Sequence, residues 1–156
     1  MQFIKKFYFL HQMKGYYIDT CIWLNLFKNE KNVRLGIDYW KITEDFIDRV
    51  EESEDSKLIV STIVLKELHF KLPEKFGIVM EFFRKNKAII MVKTAREDYS
   101  LARKLETGNA IKIGFHDCLH IAISKRLSLV LVTRDRGLID IAAKYIPVNK
   151  PENLIR

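Results

Sequence analysis

The chain has 156 residues, 48% of them hydrophobic, with only six glycines and three prolines and no repeat, low-complexity tract or linker-like stretch; a disordered or fibrous chain is excluded, and one domain with its own core is expected. Lys and Arg outnumber Asp and Glu by 27 to 20, a formal charge of +7, which permits a polyanionic partner without demonstrating one, because many such charges belong to solvated helix faces. Cys21 and Cys118 lie far apart and read as the reduced thiols of a cytoplasmic protein.

In chain order, MQFIKKFYFLHQ comes first. Its FYFL run is too short for a signal sequence or a spanning helix, and no small-residue cleavage site follows. Residues 1–12 are therefore read as an extension without assigned function, and 13–156 as a single domain. Strand-like runs then appear at Tyr16–Ile18, Lys57–Ser61, Ala88–Val92 and Ser128–Thr133, with a weak last one near Tyr145–Val148. They are continuously apolar instead of alternating, as in strands covered on both faces of a parallel sheet. Helix-length segments lie between them: Ile37–Val50, Leu65–Leu72 and Glu74–Lys85 divided by Pro73, Thr94–Glu106 capped by Thr94 and stopped by Gly108, His116–Arg126, and Asp135–Lys144. Alternating strands and helices predict an α/β sandwich with a mostly parallel sheet of about five strands.

In such sheets chemistry sits in the crevice outside the carboxyl ends of the strands. Asp19 follows the first strand at once, Glu67 follows the second within a turn or two of helix, Asp117 lies in the first turn of a later helix, and Asp135 follows SLVLVT. Brought to one edge, these carboxylates repel. Pairing with Arg or Lys, protonation of one or more acids, or a divalent cation between them would relieve the repulsion. Hard oxygen donors without a Cys or His set suit Mg²⁺ or Mn²⁺, one or two ions, and such a site can hydrolyse phosphodiesters without a covalent nucleophile. Each acid also has a plainer reading. Asp19 and Asp135 can cap helices, Glu67 beside Lys66 can be a solvent face, and Asp117 suits a helix N-terminus.

Four blocks in order resemble the PIN-domain nucleases, and among them most the VapC-type toxin ribonucleases: YYIDTCIWLNLF with Asp19 and Thr20, VSTIVLKEL with Ser61 and Glu67, HDCLHIAIS with Asp117, and LVTRDRGL with Thr133 and Asp135. The ending IPVNKPENLI resembles the family's tail. The resemblance covers nearly everything from Met13 onward. It implies a three-layer α/β/α sandwich, a metal-dependent endoribonuclease site in which Asp19, Glu67, Asp117 and Asp135 hold the ions with support from Thr20, Ser61 and Thr133, homodimerisation, and, for the toxin branch, a cognate antitoxin. Two positions depart from the family pattern. Cys21 stands where many relatives carry a polar residue, and Gly137 where many carry a further acid.

Other readings stay open. A PIN nuclease of ribosomal-RNA processing or RNA turnover would use the same site, and a catalytically idle RNA-binding or interaction module would not need intact acids. An aspartyl phosphatase lacks its second Asp, that position being Cys21. His116 and His120 are four apart on a helix but lack both the Glu of HExxH and a third ligand, so zinc is disfavoured; His120 reads as a packing residue or a hydrogen-bonding neighbour of the acids. Arg134, Arg136 and Lys112, with Lys93 and Arg96, flank strand ends and are the candidates for RNA phosphates. The early aromatic residues Trp23, Phe27 and Trp40 fit a core, or a dimer or antitoxin groove, better than base stacking.

Overall fold

All five apolar runs form strands, and all of them pair in parallel. The computed structural model describes residues 13–108 and 112–155, so the extension 1–12 lies outside the described residues. Strand β1 (Lys14–Ile18) is central; β2 (Ser56–Ser61) and then β3 (Ile89–Val92) lie on one side of it, β4 (Val130–Val132) and then β5 (Val148–Asn149) on the other. In register, Tyr17 stands opposite Ile59 on β2 and Leu131 on β4.

A parallel pair cannot be joined by a tight turn, so each connection crosses over through helices. Helices α1 (Thr20–Phe27) and α2 (Tyr39–Glu52) join β1 to β2, α3 (Thr62–Lys71) and α4 (Phe76–Lys85) join β2 to β3, α5 (Arg96–Gly108) and α6 (Phe115–Arg126) join β3 to β4, and α7 (Arg136–Ala142) joins β4 to β5. The result is the α/β/α sandwich that the sequence predicts. Double coverage explains the unbroken apolar strands: Tyr17, Leu58, Ile59, Val60, Leu131 and Val132 are all fully buried. No helix among the described residues is long and apolar enough to cross a membrane.

Several boundaries differ from expectation, each for a local reason. Helix α3 begins at Thr62, directly after the strand, because the Ser61 hydroxyl accepts the Val64 N–H at 3.3 Å and caps the turn. Thr94 does not cap α5. Its hydroxyl lies 3.0 Å from that of Thr62, while Asp98 reaches back to accept the Ala95 N–H at 2.7 Å. The fourth strand starts only at Val130, since Ser128 takes a left-handed φ of 53°. The fifth is reduced to two residues after Pro147, which lacks an N–H but whose carbonyl accepts from Leu131 at 3.0 Å.

Trp23, at 0% exposure, anchors an aromatic cluster under α1, its ring 4.8 Å from Phe83 and 6.2 Å from Phe27, with Phe27 edge-on to Phe82 at 5.6 Å. Trp23 is thus a core residue and the half-buried Phe27 packs against that core, the two rings holding α1 to Phe82 and Phe83 of α4. Gly15 admits a close approach on β1, where a Cβ would stand 2.3 Å from Leu129 Cδ2. Gly15→Ala forces that leucine off its place in the core and is expected to cost about 1–3 kcal/mol, measurable as a lowered denaturant midpoint at unchanged slope.

Strand order decides where a site can form. Successive crossovers from β1 run toward β3, and the chain then returns to the other side of β1 for β4 and β5. The order reverses between β1 and β4, and the crevice outside their carboxyl ends is where α/β sheets of this kind bind ligands. Asp19 and Thr133 stand at that point.

Candidate active site

Asp19 occupies the residue before α1 in extended conformation, from which a side chain can cap a helix, yet it makes no side-chain cap. Its backbone closes the turn instead, the N–H donating to Val132 at 3.0 Å and the carbonyl accepting from Ile22 at 3.0 Å. That leaves the carboxylate, only 6% exposed, for other use. Oδ2 accepts from the Thr133 hydroxyl at 2.7 Å and from the Cys21 thiol at 3.1 Å, and Oδ1 lies 3.6 Å from His120 Nε2. Thr133 also accepts the Asp135 N–H at 3.1 Å. One buried hydroxyl therefore spends its donor on one acid and its acceptor on the backbone of another, tying the end of β1 to the end of β4.

Asp135 is exposed and does cap its helix, Oδ1 accepting the Leu138 N–H at 3.0 Å. Both readings of this residue meet in one carboxylate, since a cap uses one oxygen. Gly137 faces the same place: a Cβ there would lie 3.4 Å from Asp135 Oδ1 and 4.0 Å from the Lys112 carbonyl, ordinary contact, so space does not demand glycine at this position.

Asp117, on the first turn of α6, is half-buried. Burial raises its carboxyl above the ordinary range, and the like charges of Asp19, Asp135 and Glu67 raise it further against the opposing pull of His120. The four acids thus act on one another across one edge of the sheet. Glu67, in the second turn of α3, behaves oppositely: burial alone would raise it, but His120, with smaller help from His116, outweighs burial and holds it below the usual range.

The group that makes this difference is His120. It is 1% exposed on α6, whereas His116 one turn earlier is exposed, so the two histidines do not share an environment. Nε2 lies 3.0 Å from Glu67 Oε1, an ion-pair contact in which the N–H is not well aligned on that oxygen, since Oε1 makes no hydrogen bond. Burial disfavours the imidazolium, but Glu67, Asp19 and Asp117 outweigh it and raise the pKa of His120. On the far side of the ring, Nδ1 is 2.7 Å from the Tyr17 hydroxyl, which is 2.6 Å from Ser61 Oγ. Tyr17, read from sequence only as a strand residue, was missed. A tyrosine in a continuously apolar strand and a histidine in an apolar helix face both need hydrogen-bond partners when buried, and that shared need was the available signal.

Cys21 is a thiol donor to Asp19, and burial followed by the Asp19 charge pushes its pKa far up; it stays protonated and supports the carboxylate, as a hydroxyl would. Arg134, a candidate for RNA phosphates, is engaged within the fold. Its guanidinium donates to both Glu152 oxygens at 2.8 and 2.6 Å and to Asn25 at 3.0 Å, and lies 4.6 Å over the Tyr39 ring. It braces the C-terminal turn (Pro151–Asn153) against α1 and α2. Arg136, Lys112, Lys93 and Arg96 are exposed.

The donor set fits a hard divalent cation. Thr20 Oγ1 and Glu67 Oε1 are buried oxygens without a hydrogen bond, in a site whose remaining acids repel one another. Among the described residues no three His, Cys, Asp or Glu side chains converge closely enough to chelate an ion unaided. Mg²⁺ does not require such a cage, being held by one or two carboxylates with waters and substrate phosphate oxygens completing its shell.

Comparison with known proteins agrees with this architecture. Residues 16–144 match the family model of the PIN domain. Among solved structures, the chain is similar to VapBC from Salmonella typhimurium bound to DNA (20% identity, TM-score 0.63, covering 89% of this chain and 99% of that one). It is also similar to VapBC2 from Rickettsia felis bound to a promoter DNA fragment (18%, TM-score 0.63, 87% and 98%), and to the sarcin–ricin loop cleaving toxin VapC20 of Mycobacterium tuberculosis (16%, TM-score 0.61, 86% and 98%). No curated protein matches the chain by sequence.

Proposed function

The chain belongs to the PIN domain family, and from that premise we propose that it is a Mg²⁺- or Mn²⁺-dependent endoribonuclease, the toxin of a type II toxin–antitoxin pair. The observation that carries the reading is the contact of Asp19 and Glu67 with His120 at the point where the strand order reverses, with Asp117 on the same helix as His120. Asp19, Asp117, Glu67 and Asp135, with waters and substrate phosphate oxygens, would hold a divalent cation, which would supply charge neutralisation and Lewis acidity for phosphodiester hydrolysis. The chain's own residues do the rest. Thr133 and Cys21 hold the Asp19 carboxylate in orientation, Thr133 fixes the backbone that presents Asp135, and Ser61 starts the helix that carries Glu67 toward the edge. Exposed Arg136 and Lys112 are the cations best placed for RNA phosphates, as sequence-independent contacts.

The toxin branch is supported by the neighbours: two are VapBC complexes and one is a toxin named for cleaving the sarcin–ricin loop. The same reading carries an antitoxin partner, a homodimer, a cytoplasmic location and a single PIN-like domain over 13–156. Its test is cleavage of mixed cellular RNA by purified protein in EDTA, Mg²⁺ and Mn²⁺, beside Asp19→Asn. Cutting that needs the metal and vanishes in the variant is expected. Equal behaviour of the two proteins sinks the catalytic reading and leaves a binding module.

A further inference from the structure

Behind the carboxylates runs a buried polar chain from three elements: Ser61 at the end of β2, Tyr17 on β1 and His120 on α6. All are 0–1% exposed. None of them contributes a carboxylate, and an apolar core would have been simpler to build, since every buried polar group must be hydrogen-bonded to be tolerated. We propose that Tyr17 and His120 are a positioning pair that aims Glu67, and with it Asp19, at the divalent cation; the inference rests on the cation-dependent reading above.

The hydrogen bonds of this chain are consistent with a hydrogen on His120 Nε2 in either protonation state of the ring. Ser61 Oγ already accepts the Val64 N–H, so its own hydrogen is free to go to the Tyr17 oxygen. On a neutral ring the Tyr17 hydrogen goes to His120 Nδ1, and on an imidazolium Nδ1–H donates to the Tyr17 oxygen; in both cases Nε2 keeps a hydrogen, facing Glu67 Oε1 at 3.0 Å and Asp19 Oδ1 at 3.6 Å. Tyr17 thus anchors the ring, which cannot turn without giving up that bond. Glu67 reaches the site from a helix on which it is partly exposed, at 22%, and a long side chain there has many rotamers. A ring held from behind, with Nε2 in ion-pair contact with Oε1 at 3.0 Å, restricts them. Partners that orient a ligand in this way change metal affinity without touching the metal.

The test measures Mn²⁺ binding to metal-free protein by electron paramagnetic resonance, with thermal melts in EDTA alongside, for wild type, Asp117→Asn, Tyr17→Phe, His120→Leu and His120→Gln. Tyr17→Phe and His120→Leu are expected to bind Mn²⁺ roughly 10- to 100-fold more weakly. His120→Gln, whose amide N–H can still reach Glu67, is expected to recover part of the loss. A merely structural pair would lower the melting temperature and leave the affinity of the folded protein unchanged, which overturns the proposal. Should His120→Leu not fold, Tyr17→Phe and His120→Gln decide alone. Wild type that binds no Mn²⁺ removes the cation reading and this pair's role together. Wild type that binds it, loses it in Asp117→Asn and keeps it in both Tyr17→Phe and His120→Leu removes only the pair.

Discussion

Asp117→Asn is expected to lower metal-dependent RNA cleavage by at least about a hundredfold, the scale on which removal of one charge-stabilising group acts, while raising the melting temperature of the metal-free protein. The two effects have one cause. Burial, then Asp19, Asp135 and Glu67, disfavour the ionised form of this carboxyl; a cation relieves that repulsion, and without one the folded state bears it. The sign in pH follows. A carboxyl with a folded pKa raised above 3.8 holds its proton more tightly folded than unfolded, so stability is lost as pH rises from the ordinary value through the raised one. Asparagine has no such loss. In EDTA the melting temperatures of wild type and variant should diverge as pH climbs through that window and then run parallel. A variant that is inactive and also less stable at neutral pH in EDTA would instead point to structural damage.

Asp98→Ala is expected to be the most destabilising substitution outside the apolar core. Asp98, 1% exposed, accepts from Arg126 through both oxygens, Nε at 2.8 Å and Nη2 at 2.9 Å, and accepts the Ala95 N–H that starts α5. This pair is the polar fastening between α5 and α6, the helix that carries Asp117 and His120. Among the described residues, truncation leaves Arg126 with the Lys93 carbonyl, at 3.2 Å. Removing one partner of a buried pair costs about 3–5 kcal/mol. Arg126 is 28% exposed, so water recovers part of its loss and the lower end applies, a fall in melting temperature of roughly 6–12 °C for a chain of this size. The double variant with Arg126→Leu should be no worse than Asp98→Ala alone, because the stranded charge goes with it. Additive losses in denaturant titrations would contradict this account.

The two departures from the family pattern have physical readings at the site. Cys21 donates to Asp19 as the polar residue of many relatives could, so the change preserves a donor and alters its strength. Gly137 leaves Asp135 as the acid of its block, beside space a side chain could occupy.

Much of this molecule is written locally in the chain. Continuous apolar runs such as KLIVS and SLVLVT predict doubly covered parallel strands, because coverage on both faces removes the reason to alternate. Asp19, Glu67 and Asp135 could be placed near one edge from chain position alone, since in such sheets the residues after a strand all leave on the same side, while Asp117 starts the helix that leads back to β4. Whether a residue caps, pairs or braces was decided elsewhere. Asp19 stands at a capping position and does not cap; Asp135 caps. Arg134, adjacent to a site acid, turned out to be bound by Glu152 and Asn25. Strand order β3-β2-β1-β4-β5, the Tyr17–His120 contact between residues 103 apart, and the Asp98–Arg126 pair depend on which buried polar groups packing brings within 3 Å of one another. Local periodicity and propensity record how each segment meets water or core. They carry no information on which distant segment fills the other side of a hydrogen bond, and that choice is made only when the sheet assembles.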